Sequence, residues 1–130
     1  MILALKTDQP EAELFLLNQE SKIIAHYHWL AGRSLADTLI TKIDQFLVSQ
    51  KLGKDDLVGL VVFTGSGSFT GLRIGATVVN ALAYNLKLPV VKASGDDWLK
   101  AVAQKLELTQ IGDFVVPDYD GEPNITKPKK

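Results

Sequence analysis

The sequence predicts an α/β domain, a mixed five-stranded sheet with helices packed on it. Three observations predict it. Short apolar runs bounded by turn residues read as strands, and two of them are close enough together to form a hairpin. From Ser34 the apolar period changes from strand-like to helical. After that, strands and helices alternate, which requires crossover connections and parallel pairing.

The first strand is "MILALK", closed near Lys6 by the turn residues "TDQP". "AELFLLN" and "KIIAHYHWL", with only "QES" between them, read as a hairpin. In the first helix Leu35, Leu39, Ile43, Phe46 and Leu47 recur at helical spacing, opposite a polar face of Asp37, Thr41, Lys42, Asp44 and Gln45. Ser34 is its expected N-cap, with Asp37 three residues on, and Gly53 its expected stop. "LVGLVVF", Leu57 to Phe63, is the fourth strand. The glycine-rich turn "GSGSFTGLRIG", Gly65 to Gly75, leads from it into a second helix over about Leu72 to Leu86. "VVKA" is the fifth strand, and "SGDDWLKAVAQKL" a third helix capped by Ser94 or Asp96. The last stretch, "VVPDYDGEPNITKPKK", holds three of the five prolines and ends on three lysines in four residues. It reads as an extended tail, laid on the surface or disordered. The expected organisation is one lobe over residues 1–108 and a tail over 109–130.

Composition narrows the function classes. Hydrophobic residues make up 46% and charged residues 22%, a globular balance. Net charge is −1, so no general basic field draws in nucleic acid. Cysteine is absent, which removes thiolate catalysis, thiolate metal sites and disulfides, and suits a cytoplasmic protein. No apolar run approaches the roughly 20 residues that span a bilayer. The first residues carry no signal-peptide pattern.

The second helix is the odd one. Between Leu72 and Leu86 only Arg73, Thr77, Asn80, Tyr84 and Asn85 carry polar side-chain groups, and the first four fall on one narrow stripe. Gly75, Ala76, Ala81 and Ala83 permit close approach of another backbone. Such a helix needs covering on more than one side, so it is either sandwiched inside its own fold or faces a partner, and the little material in a three-helix chain for a second layer favours the partner. The turn before it is neither a dinucleotide fingerprint nor a P-loop: its glycines are spaced G-x-G-x-x-x-G, and no Lys-Ser or Lys-Thr follows the last glycine. A structural role is expected, with Ser68 or Thr70 capping the helix and weak anion binding as the alternative.

Other candidates stay thin. His26 and His28 lie two apart on a strand and share a face, the spacing of a metal pair. Without a third ligand nearby they read as surface or half-buried histidines. Asp55–Asp56 and Asp96–Asp97 read as turn and capping acids, and Ser66 and Ser68 have no assigned general base. No catalytic set, metal site or cofactor is expected.

"GSGSFTGLRIG" followed by "ATVVNALAYNLKLPVV" resembles the bacterial tRNA threonylcarbamoyladenosine biosynthesis protein TsaB (YeaZ) family, whose hallmark is G-P-G-S-F-T-G-L-R-I-G. Only Ser66, in place of the proline, departs from those eleven positions. "ILALKTD" is similar to the family's first strand, I-L-A-I-D-T-S, with Lys6 at the Asp position and Asp8 at the Ser position. The likeness runs from Met1 to about Leu106. The resemblance implies the actin-like, ribonuclease H-like fold of sugar kinases and Hsp70 ATPases, here in a minimal form with the second lobe absent. It implies a non-catalytic subunit that pairs with the catalytic TsaD subunit, joined by the ATPase TsaE, in modifying the adenosine beside the tRNA anticodon. Contact with tRNA would then be indirect, and self-association an option for the chain alone. Pairing through first-lobe helices implies an interface of Leu35, Leu39, Ser68, Phe69, Thr70, Leu72, Arg73, Ala76, Thr77, Asn80 and Tyr84. A small nucleotide-dependent ATPase or hydrolase is the alternative, which Lys6 disfavours because a cation there opposes magnesium-bound phosphates.

Overall fold

The computed structural model of the chain describes residues 1–65 and 67–116. Five strands, β1 (Ile2–Lys6), β2 (Glu11–Leu17), β3 (Ile23–Leu30), β4 (Gly59–Phe63) and β5 (Val90–Ala93), form one sheet in the order β3-β2-β1-β4-β5. β1, β2 and β3 pair antiparallel, while β4 runs parallel to both β1 and β5. The sheet is therefore mixed, as the pattern predicts. The helices are α1 (Leu35–Ser49), α2 (Phe69–Leu86) and the short α3 (Val102–Glu107).

Alternation along the strands sends side chains to two cores. On one face Leu3, Leu5, Leu14, Leu16, Leu60 and Val62 meet α1 and α2. On the other, Ile2, Ala4, Phe15, Leu17, Val61 and Phe63 meet Trp98 and α3. The interior strand β4, between β1 and β5, is buried along its whole length, which explains its unbroken apolar run. β3 is an edge strand: Ala25, Tyr27 and Trp29 lean on the α1 core, and His26, His28 and Leu30 are exposed.

Several element ends differ from expectation. Helix α1 stops at Ser49, before Gly53, because Lys51 takes the left-handed conformation (φ 60°) and Leu52 N–H closes on the Leu47 carbonyl at 2.9 Å. Gly53 instead opens a short 3-10 turn, Lys54–Asp56, where its N–H donates to the Asp56 carboxylate at 2.8 Å. Ser34 does precede α1, but its hydroxyl donates back to the Ala31 carbonyl at 2.7 Å and caps nothing. Helix α2 starts at Phe69, three residues before the expected Leu72, with Ser68 as its cap.

The third helix is far shorter than the expected 94–106. The buried Trp98 indole stands edge-on to Phe15 and Phe63, with ring centroids 5.5 and 5.4 Å away. Ala101, at φ 59°, then breaks the helical path and takes the N-cap position expected for Ser94 or Asp96. Part of the expected tail, residues 117–130, lies outside the described residues, as does Ser66. The part before it packs on the domain, where Val115 joins the α1–α2 core.

Candidate partner interface

The glycine turn is built around the end of β1. A Cβ at Gly67 would lie 2.7 Å from the Asp8 Cβ and 2.8 Å from its carbonyl oxygen, and Gly67 also takes φ 148°. One at Gly71 would overlap the Thr7 carbonyl, and one at Gly75 the Thr7 hydroxyl. Only glycines let α2 press this closely on the strand end. Polar groups then tie the two together. The buried Thr7 hydroxyl donates to the Gly71 carbonyl at 2.7 Å, and Ser68 N–H donates to the Asp8 carbonyl at 3.0 Å. Ser68 Oγ accepts the Gly71 N–H at 3.1 Å, the N-cap bond expected of it. The Ser68 and Gly71 amides are thus engaged within the chain.

Helix α2 buries Gly71, Leu72, Gly75, Ala76, Val79, Leu82 and Ala83 against its own domain. Part of the expected interface is therefore taken up by the domain itself: Leu35 (5% exposed), Leu39 (0%), Leu72 (1%) and Ala76 (3%) are core residues of the chain. An amphipathic stripe looks the same in sequence whether it faces its own sheet or another protein. Ser68, Phe69, Thr70, Arg73, Thr77 and Tyr84 remain on the surface, and Asn80 is half-buried. The structure also leaves apolar surface that the sequence pattern does not single out: Ile40 of α1 is 52% exposed, and Ile74 and Val78 of α2 are half-buried. The signal was available, because Ile40 sits beside Leu39, off the main apolar stripe. The outward strip of α2, running Thr70, Arg73, Thr77, Ala81 and Tyr84, carries one charge and no acid. It suits helix packing better than open solvent.

Over residues 29–112 the chain matches the sequence model of the family described as TsaD, tRNA N6-adenosine threonylcarbamoyltransferase. Its relatives include the tRNA threonylcarbamoyladenosine biosynthesis protein TsaB of Haemophilus influenzae, 32% identical over 95% of this chain and 50% of the relative. The protein of the same name from Bacillus subtilis is 30% identical over 77% of this chain and 43% of its own length. Among solved structures, YeaZ from Pseudomonas aeruginosa superposes with a TM-score of 0.65 and 28% identity, over 72% of this chain and 43% of that one. The chain belongs to the TsaB/YeaZ branch of this family. Its fold is the actin-like one, of which it covers a part, and it spans about half the length of the curated relatives it matches.

Lys6, at the family's aspartate position, pairs with Asp8 at 2.7 Å and lies 4.5 Å from the centre of the Phe63 ring. Both residues line an open depression of about 560 Å³ with Gln9, Gly65, Gly95, Asp96 and Trp98. The Lys6 charge is therefore already matched by a carboxylate from its own strand end. On the edge strand, His26 Nε2 meets Glu13 at 2.9 Å and His28 Nδ1 meets Glu11 at 2.6 Å. His26 also stacks on Phe15, centroids 4.4 Å apart. Each histidine thus has a carboxylate of its own across the hairpin. Among the described residues no group of three or more His, Asp or Glu is arranged to hold a metal, and no helix is long and apolar enough to cross a membrane.

Proposed function

We propose that this chain is a non-catalytic scaffold subunit in tRNA threonylcarbamoyladenosine biosynthesis, pairing with a TsaD-type catalytic subunit. The observation that carries the reading is helix α2, whose glycine turn locks it to β1 and whose outward strip of small and polar residues is left exposed by the described residues. Family membership supports the pathway, and the names of the curated relatives supply it. The contact surface of this reading is Ser68, Phe69, Thr70, Arg73, Thr77 and Tyr84, with Asn80 at its edge and Ile40 added from α1. Residues 1–108 act as the lobe that carries it, and residues 109–130 as an extension. A TsaE-type ATPase joins through the assembly, tRNA is reached only through the catalytic subunit, and the site of action is the cytoplasm. The lack of a catalytic role is supported by the Lys6–Asp8 pair at the strand end where a phosphate-bound metal would need a free carboxylate.

The test is mass by light scattering after size exclusion, for the chain alone and mixed with the catalytic subunit from the same genome. A one-to-one complex is expected, replacing whatever the chain forms alone. A second reading, self-association through the same strip, predicts a symmetric dimer whose mass does not change on mixing. Absence of any complex across salt and nucleotide conditions would refute the scaffold reading.

A further inference from the structure

Two residues expected at the partner contact are occupied by the chain itself. The Asn80 side chain donates to the Val115 carbonyl at 2.9 Å and accepts the Val115 N–H at 3.0 Å, so one amide grips both polar groups of a single backbone residue. Val115 is 9% exposed and packs into the α1–α2 core. Its neighbours point the other way: Phe114 is 48% exposed and Val116 71%. The Phe114 ring lies 6.5 Å from that of Tyr84, and the Val116 carbonyl accepts from Lys92 Nζ at 3.4 Å. Residues 111–116 thus form a strap along the C-terminal half of α2. Among the described residues nothing comparable lies over Thr70, Arg73 and Thr77, which are exposed.

We infer that this strap and a partner helix compete for the C-terminal half of α2, so that pairing is confined to the N-terminal half until the strap lets go. The inference rests on the scaffold reading above. Two helices packed side by side need axes 8–10 Å apart along a shared face. A backbone held against Asn80 with its aromatic beside Tyr84 occupies the flank of that face. Among the described residues the strap is held by the Asn80 amide, the buried Val115, the Phe114–Tyr84 ring contact and an exposed lysine contact, so a change at Val115 removes its one buried anchor. Released, it returns to α2 the Asn80 donor and acceptor, which can then pair with a partner.

The test compares affinity for the catalytic subunit, by isothermal titration, among three chains: the full one, one ending at Gln110, and the full chain with Val115→Asp. Both changes free the strap and leave every residue of α2 in place. Thermal melts of each confirm folding, and loss of amide-exchange protection on the unpaired strap confirms release in Val115→Asp. The expected result is binding about tenfold tighter for both altered chains, within the range of ordinary site coupling. Equal affinity, or weaker binding by the released chains, overturns the strap while leaving the scaffold reading intact. No binding by any of the three refutes the scaffold reading, and the competition falls with it.

Discussion

The two sides of α2 are made of similar residues and do opposite work. Inward, Gly71, Gly75 and Ala76 are small because the Thr7 backbone, the Thr7 hydroxyl and the α1–α2 core leave no room for more. Outward, Thr70, Thr77 and Ala81 are small with nothing of the described chain pressed on them except at the strap. A small residue on a helix therefore means tight packing only when a neighbour is at hand. Stability should be lost on one side, and pairing on the other.

The sharpest break comes from the inner side. Gly71→Val forces two new methyl groups and a Cβ into the Thr7 carbonyl, and overpacking of this kind costs about 3 kcal/mol or more. Urea denaturation of the isolated chain should show a marked drop in midpoint, and an unchanged midpoint would mean that the turn is not held against β1. Leu39→Ala, in the core between α1 and the sheet, should cost a similar ~2–5 kcal/mol by the same assay. Ala76→Leu is expected to lower stability by about 1–3 kcal/mol, so any loss of pairing in that variant would follow from a weakened fold and not from a lost contact. Ser68→Ala removes the helix cap and should cost about 1 kcal/mol. At the other end of the scale, Arg73→Ala on the open strip should move the midpoint by less than about 0.5 kcal/mol, and weaken partner binding instead.

Much of this architecture is legible in the sequence, since strand-length apolar runs and the change of period at Ser34 survive in β1 to β5 and α1. What stayed hidden depended on contacts distant along the chain. Lys51, not a glycine, ends α1, because the Leu52–Leu47 bond sets the left-handed residue by its place in the turn. The third helix loses its first half to Trp98, whose ring partners on β2 and β4 cannot be read from its neighbours. The glycine motif announces itself, but its cause, the end of β1 some sixty residues earlier, does not. For the candidate interface, the sequence singles out helix α2 and cannot say which of its apolar residues its own domain takes. Asn80 and Val115 are thirty-five residues apart, and neither carries a pattern that predicts the other.

On the scaffold reading, the exposed side of α2 is the pairing surface. Thr77 lies in the middle of it, exposed and outside the core, so Thr77→Trp places bulk at the seam without disturbing the fold. Isothermal titration of that variant against the catalytic subunit is the most direct measurement, with the melting temperature of the isolated chain recorded alongside. An unchanged melt is expected, with affinity lower by about tenfold or more, the usual cost of overfilling a packed contact. An unchanged melt with unchanged affinity would place the pairing surface elsewhere.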